Sequence, residues 1–137
     1  NEKEKGNIIP FDEGTEVSEN NIFTLADGSL GGKGRGLAFI NALIHNYEFN
    51  KHIPDIKIRT PKTFIIGTHE FEAFIKNNKL LKAAIEEKEF SKIQKAFLEK
   101  KLRDETVTKL SLLLDIIKKP IAVRSSGLYE DSLTQPF

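Results

Sequence analysis

Cysteine is absent from the 137 residues, which excludes disulfides and thiolate metal sites and fits a cytoplasmic protein. Methionine is absent too, even at position 1, where an intact translated chain would carry it. The expectation is a processed product or an excised part of something longer. An excess of one charge is also missing: 21 basic against 20 acidic side chains leave a net +1, so nothing electrostatic argues for nucleic acid. No apolar run approaches the roughly 20 residues of a membrane span, and no signal peptide opens the chain. There is no internal repeat and no low-complexity tract. With 39% apolar and 30% charged residues, the composition reads as soluble and globular, of a size for one domain or a piece of a larger one.

What is there concentrates in one stretch, Asp27-Gly28-Ser29-Leu30-Gly31-Gly32-Lys33-Gly34-Arg35-Gly36-Leu37-Ala38, which holds five of the nine glycines. It runs directly into a helix-periodic segment. Glycines leave backbone N–H groups uncovered and permit positive φ. A helix N-terminus adds a partial positive charge, and Lys33 a full one. Together these suit an anion, above all a phosphate. The stretch is not a Walker A loop, because Gly34 follows Lys33 where Ser or Thr is needed, and Leu37 spoils a dinucleotide fingerprint. A flexible turn that starts a helix, with Lys33 and Arg35 simply solvated, is the competing reading.

Around this stretch the chain divides as follows. Residues 1–26 read as an N-terminal arm or linker. Residues 1–21 are polar and acid-leaning, with Ile8-Ile9-Pro10-Phe11 as their apolar cluster, and Ile22-Phe23-Thr24-Leu25 is a brief strand or docking segment. From Lys33 to about Tyr47, Leu37, Ile40, Leu43, Ile44 and Tyr47 make one helix face. A loop containing Pro54 leads to Pro61–Gly67, whose β-branched and aromatic residues predict a strand. Thr68 offers an N-cap to a helix buried through Phe71, Phe74 and Ile75. Leu80, Leu81, Ala84 and Ile85 begin another helical piece, and Phe90, Ile93, Phe97 and Leu102 suggest a further one. Asp104 caps a last helix carried by Val107, Leu110, Leu114 and Ile117, which stops before Pro120. The lysines scattered from Lys76 to Lys119 read as a solvated outer face.

Pro120-Ile121-Ala122-Val123-Arg124 reads as a buried strand with an arginine at its exit, followed by a Ser125-Ser126-Gly127 turn. A guanidinium there needs a partner. Either it forms an internal ion pair with Glu130 or Asp131, or its fork is aimed at phosphate oxygens.

Read together, Leu30-Gly31-Gly32-Lys33-Gly34, Pro61-Lys62-Thr63-Phe64 and Val123-Arg124-Ser125-Ser126-x-x-x-Glu130-Asp131 resemble, in order and spacing, the nucleotide-binding domain of pyruvate phosphate dikinase and phosphoenolpyruvate synthase. The resemblance covers Asp27 to Phe137. It departs from the family at Arg35-Gly36, Tyr129 and Pro136. It implies that residues 27–137 are the N-terminal portion of an ATP-grasp nucleotide-binding domain, cut short at its C-terminal end. The fold would be α+β or α/β, with several helices and a small sheet. By position, Lys33 and Arg124 would be the catalytic cations on the ATP phosphates. Gly31, Gly32 and Gly34 would let the backbone approach, and Ser125 and Ser126 would shape the phosphate loop. Magnesium would be held by residues outside this segment, so no metal ligand is assigned here.

Glu130 and Asp131 would order the loop. His45, His52 and His69 match no phosphohistidine motif. The implied partners are ATP, the second ATP-grasp half and a phosphohistidine domain that passes phosphate to pyruvate or a related acceptor; no nucleic acid and no membrane is expected. The segment alone is expected to be inactive. The alternative is a non-catalytic regulatory or interaction module that retains the scaffold.

Overall fold

The fold is built outward from the strand β2 (Ile22–Ala26), all five residues of which are buried. The computed structural model describes residues 6–127. Within them the order is β1 (Ile8–Pro10), β2, α1 (Gly31–Asn46), α2 (Phe49–His52), β3 (Thr63–Ile66), α3 (Thr68–Asn77), α4 (Leu81–Glu86), α5 (Phe90–Leu98) and α6 (Asp104–Ile117). The three strands form one parallel sheet in the order β1-β2-β3, so the architecture is mixed α and β. A central parallel strand is covered on both faces, which is why Ile22-Phe23-Thr24-Leu25-Ala26 reads as an almost unbroken apolar run.

Alternation along the strands sorts side chains to the two faces. On one face Phe23 and Leu25 meet Phe11 and Leu113 of α6 in a buried cluster, with Phe64 and Leu110 packed against it. The phenylalanines are in ring contact: Phe23 stacks on Phe64 at 5.3 Å between centroids, and Phe11 meets Phe64 edge-on at 5.4 Å. Burying each such ring is worth about 1.5–3 kcal/mol. Towards the other face Ile65 of β3 approaches Gly34 in the first turn of α1.

Several sequence expectations are corrected here. Ile8–Pro10, within the segment read as an arm, pairs with β2, and Phe11 is completely buried. The apolar cluster of that segment is therefore a sheet strand and a core anchor, and Pro10 is tolerated because β1 lies at the sheet edge. The buried stripe of α1 runs through Gly34, Asn41 and Ile44, while Ile40 and Tyr47 are exposed. The shift follows from Asn41, whose amide donates to the Asn20 carbonyl at 3.0 Å and accepts from the Thr60 hydroxyl at 2.7 Å. A polar residue with satisfied bonds thus occupies the centre of the helix's inner face.

Helix α6 is rotated similarly. Thr106 and Leu113 face inward, whereas Val107 and Leu114 are exposed. Phe71, expected inside, is also exposed; the buried residue of α3 is Glu70. Finally, residues 121–127 are not a strand. Ile121 is half-exposed and Val123 is 87% exposed. Three apolar residues in a row were the basis for a buried strand, but they have no sheet neighbour among the described residues. Tyr129, Glu130, Asp131, Pro136 and Phe137 lie outside the described residues.

Candidate nucleotide-phosphate site

Two strand-to-helix turns stand side by side at the carboxyl edge of the sheet, where ligands gather on open parallel sheets. The first, residues 27–30, joins β2 to α1. The second is Gly67, between β3 and α3. They are laced together by backbone bonds: Gly67 N–H donates to the Ala26 carbonyl (2.9 Å), Thr68 N–H to that of Ser29 (3.1 Å) and His69 N–H to that of Asp27 (3.1 Å). The Ser29 N–H donates in return to the Thr68 hydroxyl at 3.0 Å. Gly67 is required for this closeness, because a Cβ on it would overlap the Asp27 carbonyl. The turn that leads into α1 is thus held from the side by the start of α3.

The glycines of the next turn have separate tasks. Gly31 has φ +70°, a left-handed conformation that glycine adopts without strain. A Cβ there would overlap the carbonyl of Ser126. Gly34 is buried, and a Cβ on it would stand only 3.2 Å from Ile65 Cδ1, so its bareness lets α1 settle on β3.

The space over these glycines is taken by the chain segment 126–127. The Ser126 hydroxyl accepts from the Gly34 N–H at 3.0 Å and donates to the Leu30 carbonyl at 2.8 Å. The Gly32 N–H donates to the Gly127 carbonyl at 3.3 Å. The Gly31 N–H donates to the Ser29 hydroxyl at 3.3 Å. Of the amides at the start of α1, which the sequence suggested for phosphate, those of Gly31, Gly32 and Gly34 are therefore engaged by Ser29, Gly127 and Ser126.

Each cation is close in sequence to one partner of this contact. Lys33 is half-buried in the first turn of α1, and Arg124 is exposed two residues before Ser126. A trans-peptide chain extends at most about 3.6 Å per residue. With Ser126 bonded to Gly34 at 3.0 Å, the Cα atoms of Lys33 and Arg124 lie within roughly 15 Å of each other. Residues 91 positions apart in sequence are brought to one turn. Ser125, between Arg124 and Ser126, is exposed. Arg124 reaches the turn from an irregular segment, not from the end of a strand. His45 lies in the last turn of α1 and His52 at the end of α2, whereas His69, in the first turn of α3, is bonded through its N–H to the turn before α1.

A concavity of about 160 Å³ opens beside the ends of β1 and β2 and is lined by Pro10, Ala26, Asp27, His69, Arg103 and Lys109. Its cations are already paired. Lys109 lies 3.2 Å from both Asp12 and Glu105. Arg103 holds Glu70 through Nε at 2.7 Å and a second guanidinium nitrogen at 2.6 Å, and the Thr106 hydroxyl donates to the same carboxylate at 2.6 Å. Burial pushes the Glu70 carboxyl up, but the hydrogen bonds from Thr106 and Arg103 outweigh it and hold it below the ordinary glutamate range. This cluster ties α3 to α6.

The sequence profile of the pyruvate phosphate dikinase AMP/ATP-binding domain matches residues 27–137. The chain belongs to this family. No curated protein sequence and no solved structure is matched by the chain. The dikinase match takes in both the glycine turn and the Arg124 segment, and it starts at Asp27, so β1 and β2 precede it. The family is an enzyme family, and its matched part is a nucleotide-binding domain. Among the described residues no helix is long and apolar enough to cross a membrane.

Proposed function

We propose that Lys33 and Arg124 together hold the phosphates of ATP in a larger, phosphoenolpyruvate-synthase-like phosphotransferase. In that reading ATP is split, and its phosphate passes through a histidine on another domain to pyruvate or a related acceptor. Residues 27–137 supply part of the ATP-grasp nucleotide domain, are inactive alone, and act in the cytoplasm. The observation that carries the proposal is the pinning of Ser126 between Leu30 and Gly34, which brings the Arg124 segment to the turn bearing Lys33. The family match over the same residues supports the nucleotide as ligand.

The chemistry asked of these side chains is positioning and charge neutralisation, which dominate phosphoryl transfer. Lys33 supplies a compact point charge from a helix start. Arg124 supplies a planar fork that can grip two oxygens of one phosphate. The laced turns at Ser29 and Thr68 keep Lys33 from drifting, so little reorganisation is needed when charge develops. Magnesium would neutralise further charge in such a reaction. Among the described residues no group of three or more His, Asp or Glu could hold a metal, and no step is assigned to one here.

The test is turnover against melting in the full-length protein. Lys33→Ala and Arg124→Lys are each expected to lower kcat by about 10²–10³-fold. Thermal stability should change by no more than about 0.5–1 kcal/mol, because neither side chain is a core anchor. Undiminished turnover in either variant contradicts the assignment of that residue.

A further inference from the structure

We infer that Ser126 is a positioning residue: its hydroxyl latches the 124–127 segment onto the first turn of α1 and thereby holds Arg124 where the nucleotide's phosphates bind. The inference rests on the assignment of Arg124 to those phosphates.

Three features carry it. The hydroxyl is used completely in one direction and productively in the other, donating to the Leu30 carbonyl at 2.8 Å and accepting from the Gly34 N–H at 3.0 Å. Leu30 is the N-cap of α1 and Gly34 stands four residues on, so the Ser126 hydroxyl bridges the carbonyl and the amide that face each other across the helix's first turn, from more than 90 residues away. The surface that receives it is made for it: the missing Cβ of Gly31 leaves the room that the Ser126 carbonyl fills, and the Gly127 carbonyl takes the Gly32 N–H. By contrast, Ile121 is half-exposed and Val123 is exposed, so neither is a core residue. The segment before the latch lacks sheet pairing, so the position of Arg124 depends on the contact that follows it.

A serine acting through Arg124 differs from one that merely braces the first turn of α1. Loss of that brace alone would change nucleotide affinity equally whether or not Arg124 is present. Loss of a latch has no further effect once Arg124 is gone. The experiment is ATP titration of the full-length protein and of Ser126→Ala, Arg124→Ala and the double variant, followed by calorimetry. Ser126→Ala is expected to weaken ATP binding about two- to tenfold, the size of one lost hydrogen bond. In the Arg124→Ala background the same substitution should leave affinity unchanged.

A second measurement needs no nucleotide. Trypsin cleavage after Arg124 in native protein should be faster in Ser126→Ala than in the unsubstituted chain. Equal cleavage rates, unchanged ATP affinity in Ser126→Ala, or an equal loss in both backgrounds each overturns the latch. If Arg124→Ala binds ATP normally, the assignment of Arg124 falls, and the latch's role in nucleotide binding with it. If Arg124→Ala weakens binding and Ser126→Ala does not, only the latch falls.

Discussion

Glu70 is the residue whose surroundings differ most from what its type suggests. Its side chain is 2% exposed, yet it keeps its charge because the Thr106 hydroxyl and the Arg103 guanidinium donate to Oε2 and the Arg103 backbone N–H donates to Oε1. A hydrogen bond to a charged group contributes about 1.5–3 kcal/mol, so Thr106→Val, nearly isosteric and lacking the donor, should cost about 2 kcal/mol in urea denaturation. A loss below a few tenths would mean that the cluster contributes little. The pH dependence has a definite sign. The folded carboxyl lies below its ordinary value, so the unfolded chain binds the proton more readily. The cluster's contribution is fully present above about pH 4.3, the unfolded value, and is lost as pH falls through the lower folded value. Glu70→Gln should accordingly lose less stability than the unsubstituted protein between about pH 5 and 3. Parallel stability curves for the two would contradict this. None of it was legible in the sequence, where Glu70 stands in a first helical turn and looks like a dipole-matching surface acid.

At the scale of elements, the sequence spoke clearly where periodicity and breakers agreed and poorly where a polar residue took an inner position. The helix from the glycine stretch, the strand after Pro61 and the helix ending before Pro120 were all legible, because apolar spacing and the flanking Gly or Pro pointed the same way. The inner faces of α1 and α6 were misjudged by about one residue, because Asn41 and Thr106 are buried with complete hydrogen bonding. The strand expected at 120–124 failed for another reason: an apolar run states a need for burial without naming a neighbour. The turn before α1 gives the sharpest elemental prediction. Gly31→Ala places a Cβ in a left-handed residue and against the Ser126 carbonyl, so the 124–127 segment should be expelled while the sheet and helices persist. Faster trypsin cleavage after Arg124 with unchanged far-ultraviolet circular dichroism is the expected result. An unchanged cleavage rate would show that the contact is dispensable.

Across the whole molecule, a parallel sheet puts the starts of α1 and α3 at one edge, and the chain's far end returns to that edge through Ser126. The candidate site was legible as chemistry: two cations and a glycine cluster suit phosphate whatever their order. Its assembly was not, because the contact that brings segment 124–127 to α1 is one serine hydroxyl and one glycine carbonyl meeting a helix start more than 90 residues away, with no periodic signal. The account's central claim is that Lys33 and Arg124 read the phosphates and not the nucleoside. The most direct measurement is the ratio of ATP to adenosine affinity in the full-length protein, for the unsubstituted chain, Lys33→Ala and Arg124→Ala. A charge-assisted contact of about 1.5–3 kcal/mol predicts that each substitution weakens ATP by roughly ten- to a hundredfold while adenosine binds as before. An ATP-to-adenosine ratio unchanged by either substitution would contradict the claim.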